Sequence, residues 1–282
     1  MEYFETPKGM QEIAAELKCG SRIGLVPTMG FLHDGHLSLI NRAREECDIL
    51  VVSIFVNPAQ FGPDEDLDEY PRDMKRDEEL CREAGVDIIF APEPGDMYPE
   101  GYCTKVAVSG LTERLCGQSR PTHFDGVTTV VARLFNIVEP DVAVFGQKDF
   151  QQSAVVRRMT RDLNIPVEII VAPTLRQDDG LALSSRNRYL TDKERKQAPG
   201  IYRALKSVKE MIEAGEIESG EKAGQILREK IESAGDFQID YAEAVDRESL
   251  KPAGKLSGKS GALVVAAGLG KARLIDNLFF EG

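Results

Sequence analysis

Short apolar runs alternate with longer amphipathic segments through the first part of the chain. The apolar runs have the length of buried strands, whereas the segments between them repeat apolar residues at helical spacing. Strands are therefore predicted at residues 23–26, 49–56, 87–90, 142–145 and 167–171, and helices at residues 8–17, 35–46, 73–84, 126–137 and 150–163.

Strands and helices that alternate in this way predict a parallel sheet with helices on both faces, an α/β fold of the Rossmann-like, doubly wound kind. In such sheets, ligands bind beyond the carboxyl ends of the strands. Each polar motif described below follows one of the predicted strands or begins a helix. The fold class therefore also predicts where the functional residues meet.

The pattern changes after Leu175. Residues 191–234 are charge-rich and helical, and longer strands follow them, joined by a Gly-, Lys- and Ser-rich hairpin loop at 251–261. We expect a Rossmann-like domain at residues 1–175 and a smaller α+β domain at residues 176–282. The strands of the second domain are predicted at residues 237–245, 262–267 and 273–277.

Composition and net charge limit the kinds of molecule that the chain can be expected to bind. The chain has 282 residues and a net charge of −12. Nucleic acids and anionic membranes need a basic field, so neither is expected as a partner, although a local positive site can still bind an anionic substrate. No apolar run reaches membrane-spanning length, and residues 1–7 lack the features of a signal peptide. The five cysteines, an odd number without Cys-x-x-Cys spacing, indicate reduced thiols in a cytoplasmic protein.

The stretch from Pro27 to His36 contains two of the three histidines of the chain. It lies between a predicted strand and a predicted helix, and the unpaired N–H groups at a helix start favour a phosphate. Gly30 and Gly35 allow backbone and anion to approach closely. His33 and His36 add ring donors that can contact phosphate oxygens.

Two other interpretations of these histidines are open at this point. A histidine near a helix start is often a capping or packing residue. Histidines three positions apart can also share a metal ion, but Asp34 is the only adjacent carboxylate and no third histidine or cysteine lies nearby. No metal site is therefore predicted.

Further polar residues lie after a predicted strand and at the entry to a predicted helix. Asn57 and Gln60 come after a strand, where their amides either bind a small polar ligand or form a simple turn. His123 lies at the entry to a helix for which Asp125 is the predicted N-cap.

A third polar stretch begins the helix at residues 150–163. Lys148 can meet a phosphate as a compact charge, and Asp149 can accept a hydrogen bond from a ribose hydroxyl. Gln152 lies on the same side of the helix as Asp149. Farther along the chain, residues 184–186 supply two hydroxyls and a guanidinium in succession. These groups form either a clamp for a polyphosphate or a polar linker.

These motifs carry a specific resemblance. His33-Asp34-Gly35-His36 is similar to the His-x-Gly-His signature of the nucleotidyltransferase superfamily, and residues 27–36 resemble the longer motif of the pantothenate synthetase (pantoate–β-alanine ligase) family. Residues 146–152 resemble that family's Gly-x-Lys-Asp-x-x-Gln block. Residues 183–187 resemble the superfamily's second signature loop, with Leu where the family usually has Met. The resemblance covers essentially the whole chain.

The resemblance implies an enzyme that condenses (R)-pantoate with β-alanine at the expense of ATP. The reaction would pass through pantoyl adenylate, release AMP and pyrophosphate, and supply pantothenate for coenzyme A synthesis. Magnesium is expected mainly on the ATP phosphates, with Asp77 as a candidate contact. Residues 64–70 would flank the pocket as a mobile lid, and the protein would be a homodimer.

The resemblance also implies roles for the matching residues. The implied catalytic residues are His33, His36, Lys148 and Arg186. The implied nucleotide contacts are Met29, Gly30, Phe31, Leu32, His33, Asp34, Gly35, His36, Gly146, Gln147, Lys148, Asp149, Leu175, Leu183, Ser184, Ser185 and Arg186. The implied substrate contacts are Pro27, Thr28, Met29, Asn57, Gln60, His123 and Gln152.

Two alternative functions share part of this pattern. A cytidylyltransferase would need the histidine motif and the Ser-Ser-Arg loop but not the paired glutamines Gln60 and Gln152. A non-enzymatic sensor of adenine nucleotides would not need the full set of His36, Lys148 and Arg186.

Overall fold

The structure, a computed structural model, describes residues 1–62, 65 and 67–282. The lid expected at residues 64–70 therefore lies partly outside the described residues. Two sheets organise the described part of the chain, and 3-10 turns lie at Pro58–Gln60, Gln147–Asp149 and Ser185–Tyr189.

Six strands pair in parallel to form the larger sheet. They are β1 (Glu2–Phe4), β2 (Ile23–Thr28), β3 (Ile49–Ile54), β4 (Ile88–Phe90), β5 (Val142–Gly146) and β6 (Glu168–Ala172). Their order in the sheet is β1-β4-β3-β2-β5-β6. The helices that accompany them are α1 (Pro7–Leu17), α2 (Asp34–Arg44), α3 (Met74–Glu83), α4 (Pro94–Met97), α5 (Cys116–Ser119), α6 (His123–Val138) and α7 (Phe150–Asp162).

Helices cover both faces of this sheet. Successive strand residues point to opposite faces, and neighbours such as Leu25 and Val26 accordingly belong to different apolar clusters. One cluster packs under α1, α6 and α7, and the other packs under α2 and α3. The predicted Rossmann-like, doubly wound fold is confirmed.

The smaller sheet lies in the second half of the chain. Its antiparallel strands, in the order β7-β8-β9, pack against helices through a core that includes Leu205, Leu227 and Leu263. Val264 faces the other way and joins the core of the larger sheet. These elements are α8 (Asp192–Gln197), α9 (Gly200–Glu213), α10 (Gly220–Ala234), β7 (Gln238–Val245), β8 (Ser260–Leu269) and β9 (Ala272–Glu281).

The structure departs from the predicted elements in several places, including strand β1 and the start of helix α6. Strand β1 pairs with β4 at the sheet edge but was not predicted, because Glu2–Phe4 contains no apolar run. Helix α6 begins at His123 after Thr122 as N-cap, so the prediction that Asp125 caps this helix is wrong. Asp125 lies inside the first turn, where its carboxylate is 3.4 Å from the Lys105 ammonium.

The strand order creates a crevice at one point of the sheet. Strand β2 pairs with β3 on one side and with β5 on the other. The chain therefore winds away from β2 in both directions, and the loops after β2 and β5 separate at the carboxyl edge. The histidine motif follows β2 and the Lys148 motif follows β5, so both border the crevice.

Candidate active site

The loop after β2 owes its shape to Asp77 of α3. Gly30 and Phe31 adopt left-handed backbone conformations, with φ of 78° and 52°. The N–H groups of Phe31 and Leu32 each donate to one carboxylate oxygen of Asp77 at 2.7 Å. The carboxylate, only 1% exposed, thus fills a nest of backbone amides, while burial raises its pKa. Asp77, which the sequence indicated only as a candidate magnesium contact, anchors the loop.

His33 and His36 cap helix α2. Nδ1 of His33 accepts the N–H of Gly35 at 3.1 Å, and Nδ1 of His36 accepts the N–H of His33 at 3.3 Å. The N–H of His36 donates to the carbonyl oxygen of His33 at 2.7 Å. The expectation of unpaired N–H groups for a phosphate is therefore wrong at Gly35 and His36, because His33 already accepts from both.

The same bonds determine the chemistry of the two rings. A neutral imidazole that accepts at Nδ1 carries its proton on Nε2. Burial, reinforced by the neighbouring His33, lowers the pKa of His36 to about 3. Burial and then the Lys148 charge also lower the pKa of His33. Near neutral pH both rings are therefore uncharged Nε2–H donors, with their centroids 4.1 Å apart.

The 3-10 turn after β5 leads directly into α7. Nζ of Lys148 lies 3.7 Å from a carboxylate oxygen of Asp149. Gln152, in the first turn of α7, lines the same space as these two residues. Gln147 points elsewhere, because its side-chain amide donates to Oδ1 of Asn277 in β9 at 3.1 Å.

The two amides after β3 have different environments. Asn57 is 1% exposed, and its side chain donates to the Gly126 carbonyl at 3.1 Å and accepts from the Tyr98 hydroxyl at 2.8 Å. Gln60 instead lines the open space. A Cβ at Gly126 would overlap the Ala59 carbonyl, so this glycine lets α6 pack directly against the turn that carries Gln60.

His123, Arg120 and Glu65 form a polar group beside Gln60. Nδ1 of His123 lies 2.9 Å from the Gln60 carbonyl oxygen. Burial, followed by the Arg120 charge, lowers the pKa of His123 to about 4. Arg120 donates to the same carbonyl at 3.3 Å and to Glu65 at 2.6 and 2.5 Å. Sequence analysis missed this ion pair because its partners lie far apart in the chain.

The Ser-Ser-Arg loop closes the remaining side. Oγ of Ser184 accepts the N–H of Arg186 at 3.3 Å, which begins the 3-10 turn. Within that turn the Arg188 guanidinium lies 5.1 Å from the centroid of the Phe31 ring. This distance is typical of a cation–π contact, so the loops after β2 and after residue 182 touch each other directly.

Two adjoining cavities lie where these loops meet, with volumes of about 210 Å³ and about 540 Å³. Both are lined by Met29, Gln60, Lys148, Asp149, Gln152, Ser184 and Arg186. One or the other is also lined by the predicted residues Pro27, Thr28, His33, Gly35, His36, His123, Gly146, Leu175, Leu183 and Ser185. The predicted residues that line neither cavity are Gly30, Phe31, Leu32, Asp34, Asn57 and Gln147.

Two general observations concern the described part of the chain. There, no three His, Cys, Asp or Glu side chains come together as a metal site. Over the same residues, no helix is long and apolar enough to cross a membrane.

Comparison with known proteins bears directly on this site. The sequence profile of the pantoate–β-alanine ligase family matches residues 2–279. The chain belongs to the pantoate–β-alanine ligase family. It is 52% identical over 282 residues to the pantothenate synthetase of Moorella thermoacetica, covering 100% of this chain and 99% of that one. It is 55% identical over 262 residues to the enzyme of the same name from Heliobacterium modesticaldum, covering 93% and 92%.

Solved structures of pantoate–β-alanine ligases have the same fold. A pantothenate synthetase from Thermus thermophilus matches with a TM-score of 0.91 and 49% identity, over 99% of each chain. The pantoate–β-alanine ligase of Francisella tularensis, complexed with beta-gamma ATP and β-alanine, matches with a TM-score of 0.82 and 35% identity, over 99% of this chain and 97% of that one.

Membership of the pantoate–β-alanine ligase family confirms the resemblance seen in the sequence motifs. The chain is therefore an enzyme of pantothenate biosynthesis. This finding favours the ligase over the cytidylyltransferase and sensor hypotheses, because the match extends over both sheets rather than over the histidine motif alone.

Proposed function

We propose that this enzyme joins (R)-pantoate to β-alanine in two steps, with pantoyl adenylate between them. A carboxylate oxygen of pantoate attacks the α-phosphorus of ATP, the new O–P bond forms, and pyrophosphate leaves. The amine of β-alanine then attacks the acyl carbon, the bond to AMP breaks, and the amine gives up a proton to solvent. The complex named for the Francisella relative supports ATP and β-alanine as ligands here.

One observation carries this proposal: phosphate donors and amide side chains line the same pair of cavities at the crevice of the sheet. Adenylation develops negative charge on the α-phosphate and on the departing pyrophosphate. Fixed donors stabilise such charge without reorganisation at the moment of reaction. We assign this role to the catalytic residues His33, His36, Lys148 and Arg186.

The remaining wall residues divide between the two substrates. Gln60 and Gln152 can bind the hydroxyl and carboxylate of pantoate without a charge that would compete for the phosphate. His123 lies beside Gln60 and completes this end. We assign Gly146, Asp149, Leu175 and Leu183 to the nucleoside part of ATP, and Ser184 and Ser185 to its phosphates.

We also propose that magnesium arrives on the ATP phosphates. Mg²⁺ commonly keeps several waters and takes one or two carboxylates plus phosphate oxygens. On the cavity walls Asp149 is the acidic side chain nearest Lys148, whereas both oxygens of Asp77 accept backbone N–H groups. The donor set therefore fits a metal held mainly by the nucleotide.

The division into residues 1–175 and 176–282 remains our proposal for the functional units, with the first carrying the ATP and pantoate site and the second closing over it. The resemblance further supports a cytoplasmic homodimer. Light scattering after gel filtration measures the oligomeric state, and a monomer at micromolar concentration would contradict this part.

Isotope transfer tests the adenylate step. With ¹⁸O in the carboxylate of pantoate, ATP and β-alanine, we expect one labelled oxygen in each AMP that forms. Label in inorganic phosphate together with ADP would indicate an acyl phosphate instead, and would contradict the proposed mechanism.

A further inference from the structure

Asn277 of the small sheet is hydrogen-bonded to the turn that carries Lys148. Its side-chain amide donates to the carbonyl oxygens of Gln147 and Lys148, at 2.8 and 3.2 Å. Its Oδ1 accepts from the side chain of Gln147 at 3.1 Å. The residue is 1% exposed, so these buried groups have no water to replace a lost partner.

Asp276, the preceding residue, holds Asn277 from behind. Its Oδ1 accepts the N–H of Asn277 at 2.7 Å. Arg176 binds both oxygens of this carboxylate, at 2.6 and 2.8 Å, and its guanidinium lies 4.1 Å from the centroid of the Tyr202 ring. The side chains of the pair are 14% and 5% exposed. Bidentate geometry and an aromatic face both restrict the guanidinium to one orientation.

These bonds form a continuous chain between two parts of the site. It begins at Arg176, directly after the wall residue Leu175, passes through Asp276 and Asn277, and ends at the backbone of Lys148. Because the Lys148 stem is flexible, the position of its ammonium depends on how firmly its backbone is held. Asparagine suits the place, since one short side chain supplies two donors and an acceptor.

We propose that Asn277 is a positioning residue for adenylation, which acts by fixing the Lys148 turn and is itself held by the Asp276–Arg176 pair. The small sheet thereby contributes to the nucleotide site without touching the nucleotide. This inference rests on the proposed function, in which Lys148 contacts the phosphates of ATP.

A double-mutant cycle with Lys148 separates positioning from general stability. Single-turnover adenylation is measured in wild type, Asn277→Ala, Lys148→Met and the double variant. We expect Asn277→Ala to slow adenylation by about tenfold or more in the wild-type background, with the KM for β-alanine unchanged. In the Lys148→Met background the same substitution should change the rate by less than about twofold. An equal loss in both backgrounds would overturn the inference.

Two further variants complete the experiment. Asn277→Asp keeps the size and the acceptor but replaces the donors with a carboxylate, so it should slow adenylation like Asn277→Ala; full activity would overturn the inference even if the alanine variant does not fold. Arg114→Ala is the matched control. It removes different contacts between the two halves of the chain, to the Leu250 carbonyl at 3.2 Å and to the Glu243 carboxylate at 3.6 Å, and should leave adenylation within about twofold of wild type.

The cycle also distinguishes failure of the proposed function from failure of the role proposed for Asn277. Wild-type protein that forms no adenylate from ATP and pantoate would contradict the proposed function itself. Wild-type activity combined with additive losses in the cycle would contradict only the role of Asn277.

Discussion

In each histidine of the signature, one ring nitrogen supports the helix and the other is available for chemistry. Nδ1 of each ring accepts a backbone N–H at the start of α2. The proton therefore lies on Nε2, where it can serve a phosphate oxygen. A substitution that tests catalysis at His36 has to keep the hydrogen bond made at Nδ1 while it removes the donor at Nε2.

His36→Asn meets this requirement, because its side-chain oxygen can accept near the place of Nδ1 while no group reaches the place of Nε2. We expect adenylation to slow by about 100-fold or more, equivalent to about 2.7 kcal/mol or more, with the unfolding midpoint close to that of wild type. His36→Ala should lose both rate and helix cap. Normal single-turnover adenylation in His36→Asn would rule out the catalytic assignment.

The pH dependence of stability reports the burial of the same ring. The pKa of His36 is about 3 in the folded protein and about 6.5 when unfolded. As the pH falls below 6.5, the unfolded chain binds a proton that the folded chain does not, so the free energy of unfolding decreases, by on the order of 1 kcal/mol per pH unit.

Urea unfolding of wild type and His36→Asn between pH 6.5 and pH 4.5 measures this contribution. The wild type should lose stability more steeply than the variant as the pH falls, since the variant has no imidazole to protonate. Parallel curves would show that His36 is not buried as a neutral ring.

At the residue scale, short sequence motifs indicated side chains that the fold brings together at one place. His36, Lys148 and Gln152 stand in such motifs, and each lines a cavity. Asp77 was indicated only as a magnesium contact and Asn277 was not indicated at all, because each acts on a backbone segment that is distant in sequence and close only in the fold. No local pattern of residues records such a pairing.

At the scale of elements, α3 supports the loop after β2 through one carboxylate. Asp77→Asn replaces an acceptor oxygen with an N–H donor that faces another N–H. Because a buried donor without a partner costs about 1–3 kcal/mol, we expect a loss of this order in the free energy of unfolding, together with weaker ATP binding. Glu79→Gln, on an exposed position of the same helix, is the control. Stability equal to that of the control would contradict the anchoring role.

Helix α7 presents two neighbouring glutamines in different environments. Gln151 is 7% exposed and its amide donates to the Leu111 carbonyl at 2.8 Å, whereas Gln152 lines both cavities. Gln152→Ala should therefore weaken pantoate binding by about tenfold and leave ATP binding nearly intact. Isothermal titration of the variant with pantoate and with ATP measures the two affinities. A collapse of ATP affinity with unchanged pantoate affinity would show that the pocket assignment is wrong.

Prediction of elements from the sequence worked where an element is long enough to show a period. All five predicted strands of the larger sheet are present, within two residues at their ends. Short elements such as β1 and α4 were not predicted, because their residues mix polar and apolar types and form no apolar run like that of the equally short β4. The start of α6 was misplaced because Asp125 is a good N-cap residue by type, yet the chain enters the helix earlier, at His123.

For the whole molecule, the contacts between the two sheets matter as much as the fold of each. The Arg188–Phe31 and Asn277–Lys148 contacts join parts of the candidate site that come from the two halves of the chain. The sequence pattern predicts each sheet separately but gives no information about how the two sheets pack against each other. Their packing is decided by side chains such as Val264, which belongs to the core of the larger sheet.

The central claim is that ATP and pantoate alone form an adenylate at this site. The direct measurement is exchange of labelled pyrophosphate into ATP, with and without pantoate and in the absence of β-alanine. We predict exchange that requires pantoate, is strongly reduced in His36→Asn, and is abolished when Gln60 and Gln152 are both replaced by alanine. Exchange that proceeds equally without pantoate, or no exchange in an enzyme that still makes pantothenate, would contradict the account.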